Sequence, residues 1–331
     1  MAGLFEGRVA IITGSGQGIG KDLAKYMAAE GCKVVTNNRK KGSSMQAHDG
    51  KTVKFTEEEE ANIKKVIGDA DSVAEEIIAA GGEAIPVYGN VCSKADCQKM
   101  IDAAVEKWGR VDILINNAAS TWTGNIKDMT IEEWDVNIQS KLDATFYLMH
   151  YALPYMVEQH YGRIITVSSQ AFFGLEGMAA YSAASCGLWA FTKAAAQDLE
   201  NDNITINCYT PLAATRSWFN MLAEYREEGI PTEAIETGSP AGMKTTPEYM
   251  APAIAYMAAE EFTTTGIMIK IEADGALAMY SDPQEYNNCG KDCLKNGAWT
   301  LEELRDVFQN QLLKGVEVRK SALAVTKSHY E

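Results

Sequence analysis

Residues 8–31 read RVAIITGSGQGIGKDLAKYMAAEG, and the reading of this stretch decides the fold. Val9, Ala10, Ile11 and Ile12 form an unbroken apolar run, as in a parallel-sheet strand buried on both faces. Gly14, Gly16, Gly18 and Gly20 follow at once. A chain without side chains turns tightly here and brings its backbone close to a phosphate, while the N–H groups opening the next helix supply positive potential. Leu23, Ala24, Met27 and Ala28 then recur at helical spacing, and Gly31 is placed to end the helix. Glycines also make ordinary loops. Strand, glycine turn and helix in this order, at the head of an alternating chain, point to a dinucleotide site.

The chain has 331 residues, a length that two domains or one large α/β sheet can use. Its 46% hydrophobic content supports a sizeable core. No apolar run approaches the roughly 20 residues of a membrane span, and no charged-then-apolar leader opens the sequence. A cytoplasmic protein without a membrane partner is expected. The net charge of −15 argues against a nucleic-acid surface. Seven scattered cysteines make no disulfide framework and fit a reducing compartment. Cys289 and Cys293 are the one close pair with a metal-like look, and no histidine lies near them until His329. No metal site is expected.

Strand-like segments recur at 33–37, 83–88, 111–115, 163–168, 205–209 and 266–271, with helical patterns between them. Ser93 with Asp96 and Thr130 with Glu133 have capping-box-like spacing, and Thr246 before Pro247 reads as a cap followed by proline at the first helical position. Such alternation implies right-handed crossovers and a doubly wound parallel sheet of Rossmann type. Two pieces break the rhythm. Residues 40–68 are too long for an ordinary connection; their Glu57–Glu60 run is either a solvated face or the start of a helix over 58–67. The tail beyond Gly275 holds one convincing helix, 301–313, capped by Thr300 with Glu303. The expected organisation is one domain over 1–276, with the 40–68 insertion, and an extension over 277–331 that packs on the domain or on a neighbouring subunit.

Residues 13–20, TGSGQGIG, match the TGxxxGxG motif of the short-chain dehydrogenase/reductase family. Asn116-Asn117-Ala118-Ala119 resembles that family's NNAG, with alanine for its glycine. Asn90 and Val91 stand where the family meets adenine, Ser168, Ser169 and Tyr181 resemble its catalytic serine and tyrosine region, and Pro211 and Thr215 resemble the segment beside the nicotinamide carboxamide. The resemblance covers residues 5–276, and a weaker one links the insertion and tail to the hydroxyacyl-CoA dehydrogenase part of peroxisomal multifunctional enzymes. It implies an oxidoreductase that moves hydride between a nicotinamide and a carbonyl or alcohol. Gly14, Ser15, Gln17, Gly18, Ile19, Gly20, Asn90, Val91, Asn117, Ala118, Ala119, Tyr181, Pro211 and Thr215 are then the cofactor contacts. A tyrosine moves the proton, a serine holds the oxygen, and a lysine four residues after the tyrosine holds the ribose and lowers the tyrosine pKa.

The sequence departs from this pattern where catalysis is concerned. Tyr181-Ser182-Ala183-Ala184-Ser185 puts Ser185 at the lysine position, and anchoring on Trp134 and Phe146 puts Lys141 where the family has a supporting asparagine. Either Ser168 or Ser169 faces the substrate, with Ser169 favoured. Two readings follow. In one, Lys141 replaces the missing lysine from the neighbouring helix, its stem reaching roughly 6 Å across packed helices, while the Ser185 hydroxyl bonds a ribose oxygen. In the other, the site has decayed, and the chain is a nucleotide-binding or non-catalytic subunit of an oligomer. An unpaired buried ammonium is costly, which favours a lysine retained for a purpose.

Asn38 stands where NAD-using relatives carry an acid, and Arg39, Lys40 and Lys41 follow it. NADP(H) is therefore expected over NAD(H). Residues 215–242 fall where the family has a mobile substrate lid. Its Trp218, Phe219, Met221, Leu222 and Tyr225, with Trp122, Phe172, Phe173 and Met178, suit a pocket for a bulky apolar ketone or alcohol or are simply core. The helical segments 131–158 and 181–200 carry Tyr147, Tyr151, Tyr155 and Trp189, which favours a homodimer or homotetramer.

Overall fold

The computed structural model describes residues 3–43, 53–227, 229, 231–232 and 245–280, and residues 304, 306, 307 and 310. It falls into two units, Met1–Met279 and Tyr280–Glu331. The strands of the first are β1 (Val9–Ile12), β2 (Lys33–Asn38), β3 (Glu83–Tyr88), β4 (Ile113–Asn116), β5 (Gly162–Val167), β6 (Ile204–Leu212), β7 (Met268–Glu272) and β8 (Leu277–Met279). They form one sheet in the order β3-β2-β1-β4-β5-β6-β7-β8. All neighbours are parallel except β7 and β8. β8 is three exposed residues after a turn at Gly275, too short to carry a period-two pattern. The sheet thus runs to residue 279.

Among the described residues the α-helices are α1 (Gly18–Ala29), α2 (Glu57–Val66), α3 (Ala70–Ala79), α4 (Lys94–Trp108), α5 (Ile131–Ile138), α6 (Ala144–Glu158), α7 (Ala179–Asp198), α8 (Arg216–Glu227) and α9 (Ala251–Tyr256). α1, α3 and α9 cover one face of the sheet through Leu23, Val73 and Ile254. α4, α6 and α7 cover the other through Met100, Leu148 and Ala196. None of these helices is long and apolar enough to cross a membrane. The chain leaves β1 toward β2 and β3 and returns on the other side as β4, so a crevice opens at the carboxyl ends of β1 and β4. The opposite, amino ends of these two strands are tied together. There the buried carboxylate of Asp112 accepts the Val9 N–H and the guanidinium groups of Arg8 and Arg110.

The acidic run of the insertion starts a helix. Thr56 and Glu59 form a capping box, and Glu57 to Glu60 occupy the first turn of α2, where carboxylates complement the positive helix terminus. The expected tail helix over 301–313 lies largely outside the described residues; positions 304 and 306 are helical, and Asn310 donates to the Asp306 carboxylate at 2.7 Å. Cys289 and Cys293 lie outside the described residues. Among those described, no group of three or more His, Cys, Asp or Glu side chains is arranged to hold a metal.

Candidate active site

The glycine turn between β1 and α1 is shaped by contacts that leave no room for side chains. Gly14 has φ +66°, and a Cβ there would press on Ala118 at 3.2 Å. A Cβ on Gly16 would collide with the Asn38 carboxamide, and one on Gly20 would stand 2.6 Å from Asn117 Nδ2. Ser15 Oγ donates to the Ile12 carbonyl at 2.7 Å and accepts the Asn37 N–H at 2.8 Å, locking the turn to β1 and β2. Gln17, the N-cap of α1, makes no side-chain cap. The opening N–H groups of α1 thus keep their donors for an anion. Gln17 Oε1 and Asn38 Oδ1 are buried and have no hydrogen-bond partner. Such a cradle, with orphaned polar atoms at its rim, fits a dinucleotide.

The remaining expected cofactor residues divide into contacts and braces. Ile19 packs on the α1 core and Val91 is buried. Asn90 is held by its N–H to Asp96 and by its Oδ1, which accepts the Cys92 N–H. Asn117 is a brace: its Nδ2 donates to the Thr13 carbonyl and its Oδ1 accepts the buried Tyr209 hydroxyl, tying β1, β4 and β6 together. Both polar atoms of that side chain are thus engaged inside the protein. The Ala118 N–H is likewise taken by Thr13 Oγ1. Ala119 and Pro211 are half-buried. Thr215 stands beside Gly18, whose Cβ would lie 3.8 Å from Thr215 Cγ2. At the end of β2, Arg39 is exposed, and Lys41 is paired with Asp71 at 2.8 Å.

The catalytic candidates converge from three elements. Residues 139–143, expected inside a continuous helix, form a π turn: the Ala144 N–H reaches back five residues to the Gln139 carbonyl. The carbonyl of Lys141 is taken up by the Thr145 hydroxyl at 2.8 Å, which stabilises the widened turn. Lys141 is buried, and its Nζ lies 3.4 Å from the Tyr181 hydroxyl and 3.3 Å from the Ser168 carbonyl. Ser169 and Thr121 also act on the Tyr181 hydroxyl, each favouring its ionised form. Burial pushes the Tyr181 pKa up, but the Lys141 charge and these hydroxyls outweigh it, and the phenol lies below the usual tyrosine range. Ser168 points elsewhere, its hydroxyl donating to the Ser185 carbonyl at 3.1 Å. Of the two serines, Ser169 is the one at the tyrosine. The Ser185 hydroxyl, one turn beyond Tyr181, is buried without a partner.

Thr121 was not among the residues the sequence singled out. It sits on the loop after β4, held by the Ser120 N–H to Ser140 Oγ, the Trp122 N–H to Asn137 Oδ1 and the Gly124 N–H to the Gly177 carbonyl. No short motif marks such a loop. The expected apolar lining is partly spent on packing. Trp218 and Phe219 lie with Ile63 of α2, and Phe172 packs on Phe173 and edge-on to Trp189.

A parallel sheet that reverses its strand order at a glycine-rich turn is the arrangement of dinucleotide-binding folds. A family model for short chain dehydrogenase matches residues 8–65 and 47–228. A 3-oxoacyl-[acyl-carrier-protein] reductase from Synechocystis sp. is 33% identical over 266 residues, covering 79% of this chain and 97% of that protein. Peroxisomal multifunctional enzyme type 2 from Drosophila melanogaster is 31% identical across 83% of this chain, which spans 40% of that longer protein. The crystal structure of a short chain dehydrogenase from Mycobacterium avium superposes with a TM-score of 0.74 at 28% identity, covering 97% of this chain and 100% of that one. The chain belongs to the short-chain dehydrogenase/reductase family, oxidoreductases that bind nicotinamide cofactors.

Proposed function

We propose that the protein is an NADP(H)-preferring oxidoreductase that interconverts a ketone and a secondary alcohol on a bulky apolar substrate. The observation that carries this reading is the Lys141 ammonium 3.4 Å from the Tyr181 hydroxyl. It supplies from the π turn the charge that the family pattern places at position 185. A nicotinamide bound at the crevice supplies or accepts the hydride. Tyr181 donates a proton to the carbonyl oxygen in reduction and removes it from the alcohol in oxidation. Ser169 holds that oxygen, Lys141 stabilises the phenolate, and Thr121 orients the hydroxyl. Ser185 offers its unpartnered hydroxyl to the ribose. Asn38 in place of an acid removes repulsion of a 2′-phosphate, and Arg39 offers it a cation.

The test is turnover of ketones with NADPH and with NADH, using ring ketones and 3-oxoacyl thioesters as substrate panels. Turnover with tighter NADPH binding is expected. Tighter NADH binding would overturn the cofactor preference, and binding without turnover of any substrate would favour a non-catalytic subunit. Self-association as a dimer or tetramer is part of the same reading, with the exposed Phe146 and Val157 of α6 available for it; a monomer by light scattering at micromolar concentration counts against it.

A further inference from the structure

The insertion helix α2 and the helix α8 make an antiparallel pair that rises from the glycine turn. Both are rooted there. At the carboxyl end of α2, the Ile67 carbonyl accepts Lys21 Nζ at 3.4 Å, and Gly68 lies so close that a Cβ on it would stand 2.9 Å from the Gly16 carbonyl oxygen. α8 begins directly after Thr215, the neighbour of Gly18. Between these roots and the free ends, Ile63 packs with Ala214 and Phe219, flanked by Phe55, Ile67 and Trp218. At the far ends the Arg226 guanidinium grips the Glu59 carboxylate with two hydrogen bonds of 2.8 and 2.6 Å. The Lys54 N–H donates to Glu227 Oε1 at 3.0 Å.

We infer that Glu59 and Arg226 are positioning residues for the cofactor: their ion pair clasps α2 to α8, and the joined helices retain the nucleotide seated on the glycine turn between their roots. The inference rests on the nucleotide-binding reading above. A planar guanidinium matched to a carboxylate fixes orientation as well as distance. The Glu59 side chain is 10% exposed and that of Arg226 29%, so removing either charge from this largely buried pair breaks the bidentate contact and loosens the far ends. The apolar contacts alone leave the two helices free to slide and splay. Once either root moves, the phosphates are uncovered.

The experiment measures NADPH dissociation by stopped-flow fluorescence for the full chain and three variants. Glu59→Gln removes the charge but keeps a side chain able to complete the capping box. Arg226→Met keeps most of the apolar stem, and the double variant tests whether the two act as one. Each single variant is expected to raise the dissociation rate at least fivefold, the double variant no further, and Arg226→Lys to recover part of the loss. Independently of any variant, NADPH is expected to slow backbone hydrogen exchange over 57–66 and 216–227 together. NADPH that binds the unaltered protein but leaves both variants at the same rate would overturn the clasp while sparing the nucleotide reading. Additive effects, or protection of one helix alone, would overturn it too. An unaltered protein that binds no NADPH would overturn both.

Discussion

The diphosphate half of the site and the catalytic half are built from different materials. The first is made of backbone. Gly14 and Gly20 are each pressed by backbone that a Cβ would meet, Gly14 at a positive φ besides, so residue type there is dictated position by position. The second is made of side-chain ends. What matters at Tyr181 is that an ammonium arrives within hydrogen-bonding distance, and Lys141 brings one from a π turn while Ser185 occupies the place it usually comes from. A backbone site fixes where residues stand in the sequence; a side-chain site fixes only where atoms end. Departures from the family pattern therefore gather in the catalytic half.

The largest effect should come from removing the displaced charge. Lys141→Met is expected to lower turnover by about 100-fold or more, the scale of positioned acid–base catalysis. The phenol pKa, held down by the ammonium, rises when that charge goes. Alcohol oxidation, which needs the phenolate, should then appear only at higher pH, each unit corresponding to about 1.4 kcal/mol. Adding Ser185→Lys to that variant should restore part of the rate by approaching the same hydroxyl from the other side. An unchanged pH–rate profile in Lys141→Met would break the comparison.

Gly20→Ala probes the backbone half. Its methyl group would stand 2.7 Å from the Gly14 carbonyl oxygen and 2.9 Å from Ser15 Cα, and overpacking of this kind costs about 1–3 kcal/mol. NADPH affinity should fall roughly tenfold or more by fluorescence titration, with kcat at saturating cofactor much less affected. A normal affinity would show that the turn yields, and that the two halves are less different than they look. The smallest effect is expected from Thr121→Val, which removes a hydroxyl that favours the ionised form of Tyr181. About 1 kcal/mol corresponds to a several-fold lower kcat and a small upward move of the oxidation pH profile. No change in either would remove Thr121 from the site.

Legibility in the sequence followed the same division. β1, the glycine turn and α1 are readable because burial and close approach leave few residue types. The approach of Lys141 to Tyr181 was suggested by a double departure, 141 against 185, since both positions are anchored by motifs. What escaped was whatever depends on contacts far apart in the chain. Thr121 meets Tyr181 across 60 positions, Asn117 spends its amide on Tyr209, and Trp218 packs on Ile63 of the insertion. The π turn escaped because it leaves the apolar spacing on either side intact and adds only an offset between them.

That offset has a consequence for the chain as written text. An α-helix advances about 100° per residue, and the 139–143 turn absorbs one residue more than a regular turn holds. Leu148, Met149, Ala152 and Met156 of α6 pack on the core beyond it. Dropping one residue there would regularise the helix and leave this row facing the core, while removing the widened turn from which Lys141 reaches Tyr181. The segment holds no glycine, proline or cysteine that would advertise the turn. Helix packing can thus survive a change of length that the position of the ammonium cannot.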